Sequence, residues 1–295
     1  MEVLSSKTIT NPVDAYFLTI SKSSYDSYFF RIREFCRVIF KTTDFQKCDW
    51  KSFTYIDLLR FIQHKKSQGI SPNSLNTSIA IIKSIALHAW QLGFISLEEY
   101  TKIKLTKKVK GHRLPAGRTL EINEIQDIKH YYFLADELLD IRDFAMFALG
   151  VGAGLRRKEI TLLDVKHITK DNILVNGKGD KQRLVPLTSF VKQAVKRWLK
   201  VAGIGSGAVF TNINTSQRIS IQVVHRCYKR IVRNVECEPF TAHDLRRTFA
   251  TYLLDNKADV FAVQLLLGHS NETTTRQYDR RGEKIKAHAI KLLPF

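Results

Sequence analysis

The chain has 295 residues, 44% hydrophobic and 25% charged, a balance that supports a buried core and argues against a disordered chain. Its length suits two domains of ordinary size. Lysine and arginine number 47 against 28 acidic residues, and the formal net charge of +19 points to a polyanionic partner, nucleic acid being the commonest, with a merely solvated basic surface as the alternative. The surplus is shared: residues 1–118 hold 19 basic and 9 acidic side chains, and the remainder is basic as well. Cys36, Cys48, Cys227 and Cys237 form no C-x-x-C pair and fit neither a zinc site nor a disulfide framework. They read as buried or bystander thiols of a reducing compartment. The N-terminal MEVLSSKTITNPVD lacks a signal pattern, and no apolar run approaches the roughly 18 residues that would span a bilayer. The expectation is a cytoplasmic, nucleoid-associated protein with no membrane partner.

The first hundred residues read as helices. Tyr25, Tyr28, Phe29, Ile32, Phe35, Cys36 and Ile39 recur at steps of three and four, one face of a long helix. Tyr55 to Gln68 gives a second, with Ile56, Leu59 and Ile62 facing inward and Gly69 ending it. Ser71-Pro72 opens a third, with serine as N-cap and proline in the first turn; Leu75, Ile79, Ile82, Ile85, Ala86 and Ala89 form its apolar side. A short fourth starts at Ser96, completing a bundle of about four helices over residues 1–105. Residues 106–118, TKKVKGHRLPAGR, interrupt the pattern with Lys107, Lys108, Lys110, Arg113 and Arg118 among glycine and proline. They read as a basic linker, a strap on phosphates in preference to a contact-free hinge.

A second domain is expected over 119–295. Glu121–Ala135 and Ile141–Leu149 look helical. Short strands near Ile173–Val175 and Arg183–Pro186 flank a hairpin turn, Asn176-Gly-Lys-Gly-Asp180. Helices follow at Phe190–Val201, Ile221–Val235, Ala242–Leu254 and Val260–Leu267, and a tail from about 282 has apolar residues that could line a short helix. The fold class is therefore mainly α with a small β-sheet.

Five local features stand out by their order: Gly154-Leu155-Arg156-Arg157-Lys158-Glu159, Lys178 between two glycines, His243-Asp-Leu-Arg246, Leu267-Gly268-His269, and Tyr278 nine residues on. Each alone is weak, since H-x-x-R spacings and Gly-Lys-Gly turns arise by chance. Together, in the segments GAGLRRKEI, GKGDKQRLVPL, TAHDLRRTFAT and LLGHSNETTTRQYDR, the chain resembles the tyrosine recombinases: phage integrases, Xer-type resolvases and their relatives.

The resemblance covers essentially the whole chain. It implies a helical, SAM-like core-binding domain followed by an α+β catalytic domain. It implies an enzyme, a site-specific DNA strand transferase for integration, excision or resolution of DNA elements. Such an enzyme cuts and rejoins DNA through a 3′-phosphotyrosyl intermediate and a Holliday junction, with no metal, cofactor or ATP. The partners implied are double-stranded recombination sites and further copies of the chain, monomeric when free and tetrameric on synapsed DNA; an accessory protein is left open. Matched residue by residue, Tyr278 is the nucleophile, Arg156 and Arg246 hold the phosphate, and His243 is the general acid/base. His269 bonds a non-bridging oxygen, and Lys178 protonates the leaving 5′-oxygen, although Lys181 shares its loop. Glu159 either orients Arg156 and the surrounding loops or makes a plain ion pair within its helix. The motif frames select 156 and 246 over Arg157 and Arg247, which are left to the surface or to backbone phosphates. In this family such a tail docks on a neighbouring subunit or on its own domain.

Overall fold

The computed structural model describes residues 9–111, 117–177 and 182–268, with only the backbone of Ser23. The chain divides into two compact units, Met1–Pro115 and Ala116–Phe295. Among the described residues no helix is long and apolar enough to cross a membrane.

The first unit contains α1 (Pro12–Thr19), α2 (Lys22–Ile39), α3 (Tyr55–Ser67), α4 (Pro72–Gln91) and α5 (Leu97–Lys104). Helix α1 has no counterpart in the sequence expectation. It is started by Asn11, whose side chain accepts from the Val13 and Asp14 amides at 2.9 and 3.0 Å, and by Pro12 in the first turn. Helix α4 is the spine, with Leu75, Ile79, Ile82, Ile85, Ala86 and Ala89 all buried, as their spacing predicts. Ser71 caps it and Ser96 caps α5.

Helix α3 corrects the sequence reading. Ile56 is 57% and Leu59 40% exposed, while Leu58, Phe61, Ile62 and Lys65 face inward. Both rows have helical spacing. Packing chooses the row that sets Phe61 edge-on against Phe35 and buries Lys65 beside Glu34, with the ammonium 2.6 Å from the carboxylate. Past α5 the chain stays tied to this unit: Asn76 exchanges two hydrogen bonds with the backbone of Val109, at 2.8 and 3.0 Å. Lys107, Lys108 and Lys110 are exposed; Arg113 lies outside the described residues.

The second unit is mainly helical around a two-stranded antiparallel sheet. Its elements are α6 (Ile122–Phe133), α7 (Leu138–Ala153), α8 (Arg157–Thr161), β1 (Asn172–Asn176), β2 (Gln182–Pro186), α9 (Ser189–Val201), α10 (Ile221–Val235), α11 (Ala242–Asp255) and α12 (Val260–Leu267). Helix α7 is buried on every side from Ile141 to Leu149, the mark of a central helix. Small residues let its neighbours approach: a Cβ on Gly150 would stand 2.8 Å from Leu245 of α11, and one on Gly152 2.6 Å from Val191 of α9. In the sheet Ile173 pairs with Val185 and Val175 with Arg183, so Arg183 shares the inner face of β2 with Val185.

The segment entering this unit is fastened along α11. Arg247 donates to the Gly117 carbonyl at 2.9 Å, the Arg118 amide to Asp244 at 3.0 Å, the Leu120 amide to Thr248 at 3.0 Å, and Tyr252 to the Leu120 carbonyl at 3.2 Å.

Helix α7 stops at Gly154, whose φ of 62° is left-handed and whose Cβ, if present, would lie 2.7 Å from the Phe249 ring. Gly154→Ala should therefore lose about 2 kcal/mol of stability in urea unfolding, from strain and from displacement of Phe249. Gly203→Ala, with φ 66° and open space around it, should lose clearly less.

Candidate active site

Three chain segments that carry sequence-predicted site residues are brought together by one buried side chain. Arg246, on the second turn of α11, is 3% exposed. Its guanidinium donates to the Gly154 carbonyl at 2.7 Å and to the Leu267 carbonyl. Gly154 ends α7, and Leu267 is the last residue of α12, which closes on a second left-handed glycine, Gly268, at φ 61°. One cation thus joins two helix C-termini, where the carbonyls and the partial negative charge of the helix favour it.

The chain leaving α7 reaches Arg156 two residues later. Arg156 is not inside a helix; it is extended (φ −74°, ψ 153°) at the N-cap of the five-residue α8, with Arg157 the first helical residue. The carboxylate of Glu159 fixes it twice: Oε2 accepts from the Arg156 amide and Oε1 from its guanidinium, both at 2.8 Å. The Arg156 side chain remains 42% exposed, so its outer edge faces solvent.

Glu159 itself is buried, and its other guanidinium partner is Arg183. Arg183 donates through both terminal nitrogens to the two carboxylate oxygens at 2.9 Å, and through Nε to the Leu266 carbonyl at 2.7 Å. Burial pushes the Glu159 carboxyl up, but the hydrogen bonds and charges of Arg183 and Arg156 outweigh it and hold it below the usual carboxylate range. Glu159 is thus more than the partner of an ion pair within its helix. Arg183 is absent from the sequence-predicted set. A signal for it exists, since alternation along Gln182–Pro186 puts an arginine on the face of a buried valine.

His243 lies on the first turn of α11, with its ring reaching the surface. Partial burial and then the guanidiniums of Arg247, Arg246 and Arg156 hold its pKa below the ordinary imidazole value, against an opposing pull from Asp244. The ring therefore favours the neutral form. Arg247 differs from the expectation of a surface or phosphate contact: it is buried and bonds Gly117. Arg118 is also engaged within the unit. It forms two 2.7 Å bonds to Glu124 and further bonds to the Glu238 and Pro239 carbonyls. Lys178, His269 and Tyr278 lie outside the described residues, as do Lys181 and the tail.

The sequence pattern of the Phage integrase family matches residues 118–284. The chain is 31% identical over 242 residues to tyrosine recombinase XerC of Haemophilus influenzae, 78% of this chain and 79% of that protein. It is 34% identical over 227 residues to tyrosine recombinase XerD of Lacticaseibacillus casei, 74% of this chain and 75% of that one. Among solved structures, a XerH site-specific recombinase bound to a palindromic difH substrate in a post-cleavage complex superposes with a TM-score of 0.71 at 20% identity, over 92% of this chain and 80% of that one. A lambda integrase dimer bound to a core site gives 0.69 at 18% identity, over 92% and 95%. A lambda integrase tetramer bound to a Holliday junction gives 0.68 at 18%, over 94% and 79%.

Glu159→Gln should remove about 3 kcal/mol, because it leaves the buried Arg183 without its counter-charge. The Glu159 carboxyl is depressed in the folded state. Its contribution is therefore complete above the unfolded carboxyl range and is lost as pH falls through the folded value. Urea midpoints of the two proteins should differ most at neutral pH and converge on acidification below about pH 4.

Proposed function

The chain belongs to the phage integrase family and is a tyrosine-type site-specific recombinase, and from that premise we propose that Tyr278 is the residue that becomes joined to DNA. The phenolic oxygen of Tyr278 attacks the scissile phosphorus as its proton passes to His243. A phosphotyrosyl bond to the 3′ side forms while the bond to the 5′-oxygen breaks. Lys178 delivers the proton that the leaving oxygen takes up, and His269 bonds a non-bridging oxygen. Arg156 and Arg246 neutralise the charge gathering on those oxygens. The phosphate ester is exchanged and not hydrolysed, so a 5′-hydroxyl from a partner strand can reverse the step without ATP.

The observation that carries this reading is the convergence of Arg156, His243 and Arg246 at the joined ends of α7 and α12, in a cluster whose charge is positive. A neutral His243 suits the role of proton acceptor. The net charge of +19 supports duplex DNA as substrate, and the exposed Lys107, Lys108 and Lys110 are candidates for backbone phosphate contacts. Arg118, occupied by Glu124, is not among those candidates. Assembly as a tetramer on two synapsed sites follows the lambda integrase arrangement, and the reaction takes place on nucleoid DNA in the cytoplasm.

A duplex nicked near the scissile position, so that the cleaved fragment diffuses away, should trap a covalent adduct with the wild-type protein in EDTA. Tyr278→Phe should bind the same duplex with unchanged affinity and give none. Arg156→Ala should slow adduct formation by about two orders of magnitude or more, and Arg157→Ala far less. An adduct from Tyr278→Phe would remove the nucleophile assignment.

Replacing the scissile 5′-oxygen by sulfur makes the leaving group a thiolate that needs no proton. Lys178→Ala should be crippled on ordinary DNA and largely restored on the sulfur substrate, whereas Arg156→Ala should stay slow on both. Restoration of Lys181→Ala instead would move the general acid to Lys181.

A further inference from the structure

We propose that Arg183 is a positioning residue of the recombination reaction, acting on the scissile phosphate through Glu159 and Arg156. The proposal rests on the reading of Arg156 as a phosphate-binding group.

A carboxylate offers about four acceptor directions. In Glu159 each oxygen accepts from both arginines: Oε1 from the guanidiniums of Arg156 and Arg183, Oε2 from the Arg156 amide and the Arg183 guanidinium. Two parallel bonds from one planar fork set the plane and height of the carboxylate. That plane then sets both the main chain and the side chain of Arg156.

Arg183 is well placed for this task. Its side chain is 10% exposed, so it is locked inside the unit and is not the phosphate ligand. Its third donor, Nε, is spent on the Leu266 carbonyl, and Gly268 packs on its shaft, where a Cβ would come within 3.1 Å of Cδ. The base of the fork is therefore anchored to the end of α12 that Arg246 also holds. Arg183→Lys would keep the charge but could offer neither the parallel pair nor a rigid third bond.

The experiment compares Arg183→Lys with Arg156→Ala and wild type in the full chain. Single-turnover adduct formation is followed on nicked duplexes carrying either a normal phosphate or a neutral methylphosphonate at the scissile position. DNA affinity and melting temperature are measured alongside. Arg183→Lys should bind DNA like wild type and still melt cooperatively, at a lower temperature because buried hydrogen bonds are lost, yet cleave the normal duplex about 30-fold more slowly below that melt, as a small misplacement of a catalytic group commonly does. On the methylphosphonate, where less charge needs an arginine, the deficit relative to wild type should shrink below about 5-fold, and that of Arg156→Ala should shrink in parallel.

Glu159→Asp, which keeps the charge and retracts the carboxylate by one methylene, should show the same signature and serves if the lysine variant does not fold. A variant within about 3-fold of wild type on the normal duplex, or one equally impaired on both substrates, would overturn the proposal while leaving Arg156 in place. An Arg156→Ala protein with wild-type cleavage would overturn the phosphate reading and this proposal with it.

Discussion

The second unit is organised by a cation buried between two helix ends. Removing the Arg246 guanidinium from water costs several kcal/mol, and hydrogen bonds to the Gly154 and Leu267 carbonyls offset part of that cost. They are acceptors that helix geometry leaves unpaired at a C-terminus. That requirement fixes where α7 and α12 stop, and both stop on a left-handed glycine, which sends the chain off sharply. In the sequence each glycine is followed by a residue of the motif set: Arg156 two positions after the first, His269 one after the second. The helix carrying Arg246 also carries His243 on its preceding turn. A single polar interaction in the core thus ties together the helix ends beside which Arg156 and His243 lie.

Around that joint, a second layer of contacts holds α11 in place from its outer side. Asp244 accepts from the Arg118 amide and from Thr241, so it caps its own helix and fastens the entering segment. Gly117 is required there: its φ is 104°, and a Cβ would fall 2.3 Å from the Asp244 carboxylate. Arg247 and Thr248 continue the seam. The two consecutive arginines of the motif therefore do opposite work. Arg246 points to the helix ends that frame the site, while Arg247 points to the strap that keeps the helix from shifting.

Much of this is legible in the sequence because periodicity and punctuation agree. Helix α4 is framed by Ser71-Pro72 and Gly93 and has one continuous apolar side, so its inner face is unambiguous. Helices α10 and α12 fall within the bounds that spacing predicts. Helix α3 is ambiguous because Ile56-Leu59-Ile62 and Leu58-Phe61-Ile62 are both helical rows, and only tertiary packing against Phe35 distinguishes them. Helix α1 is invisible because eight residues give too few turns for a period to emerge. At the site, motif order picks out Arg156, Glu159, His243 and Arg246. It misses Arg183, because a buried arginine is meaningful only through the carboxylate it meets, and Glu159 is 24 residues away in the chain.

The kinds of partner these cations have also bear on the chemistry. Two of the acceptors of Arg246 are carbonyls, which are dipoles and carry no formal charge. Arg156 and Arg183 share one carboxylate, which cancels one of their two charges. Around Glu159 and Arg246, three guanidiniums thus surround one carboxylate, beside a His243 held below the ordinary imidazole value. A phosphodiester carries a single negative charge in its ground state. When the tyrosine oxygen adds, the five-coordinate arrangement places roughly two on the non-bridging oxygens. If Arg156 and Arg246 hold the scissile phosphate as proposed, guanidiniums in excess of carboxylates suit the transition state more than the substrate, the condition for binding energy to accelerate the step and not merely to tighten the complex. Carbonyls and a buried carboxylate already orient the guanidiniums in the protein alone, so the proposed role would leave little reorganisation for the moment of reaction. On the proposed reading, carbonyls serve this position better than a second buried carboxylate would, because they orient the Arg246 guanidinium without adding a negative charge beside the phosphate.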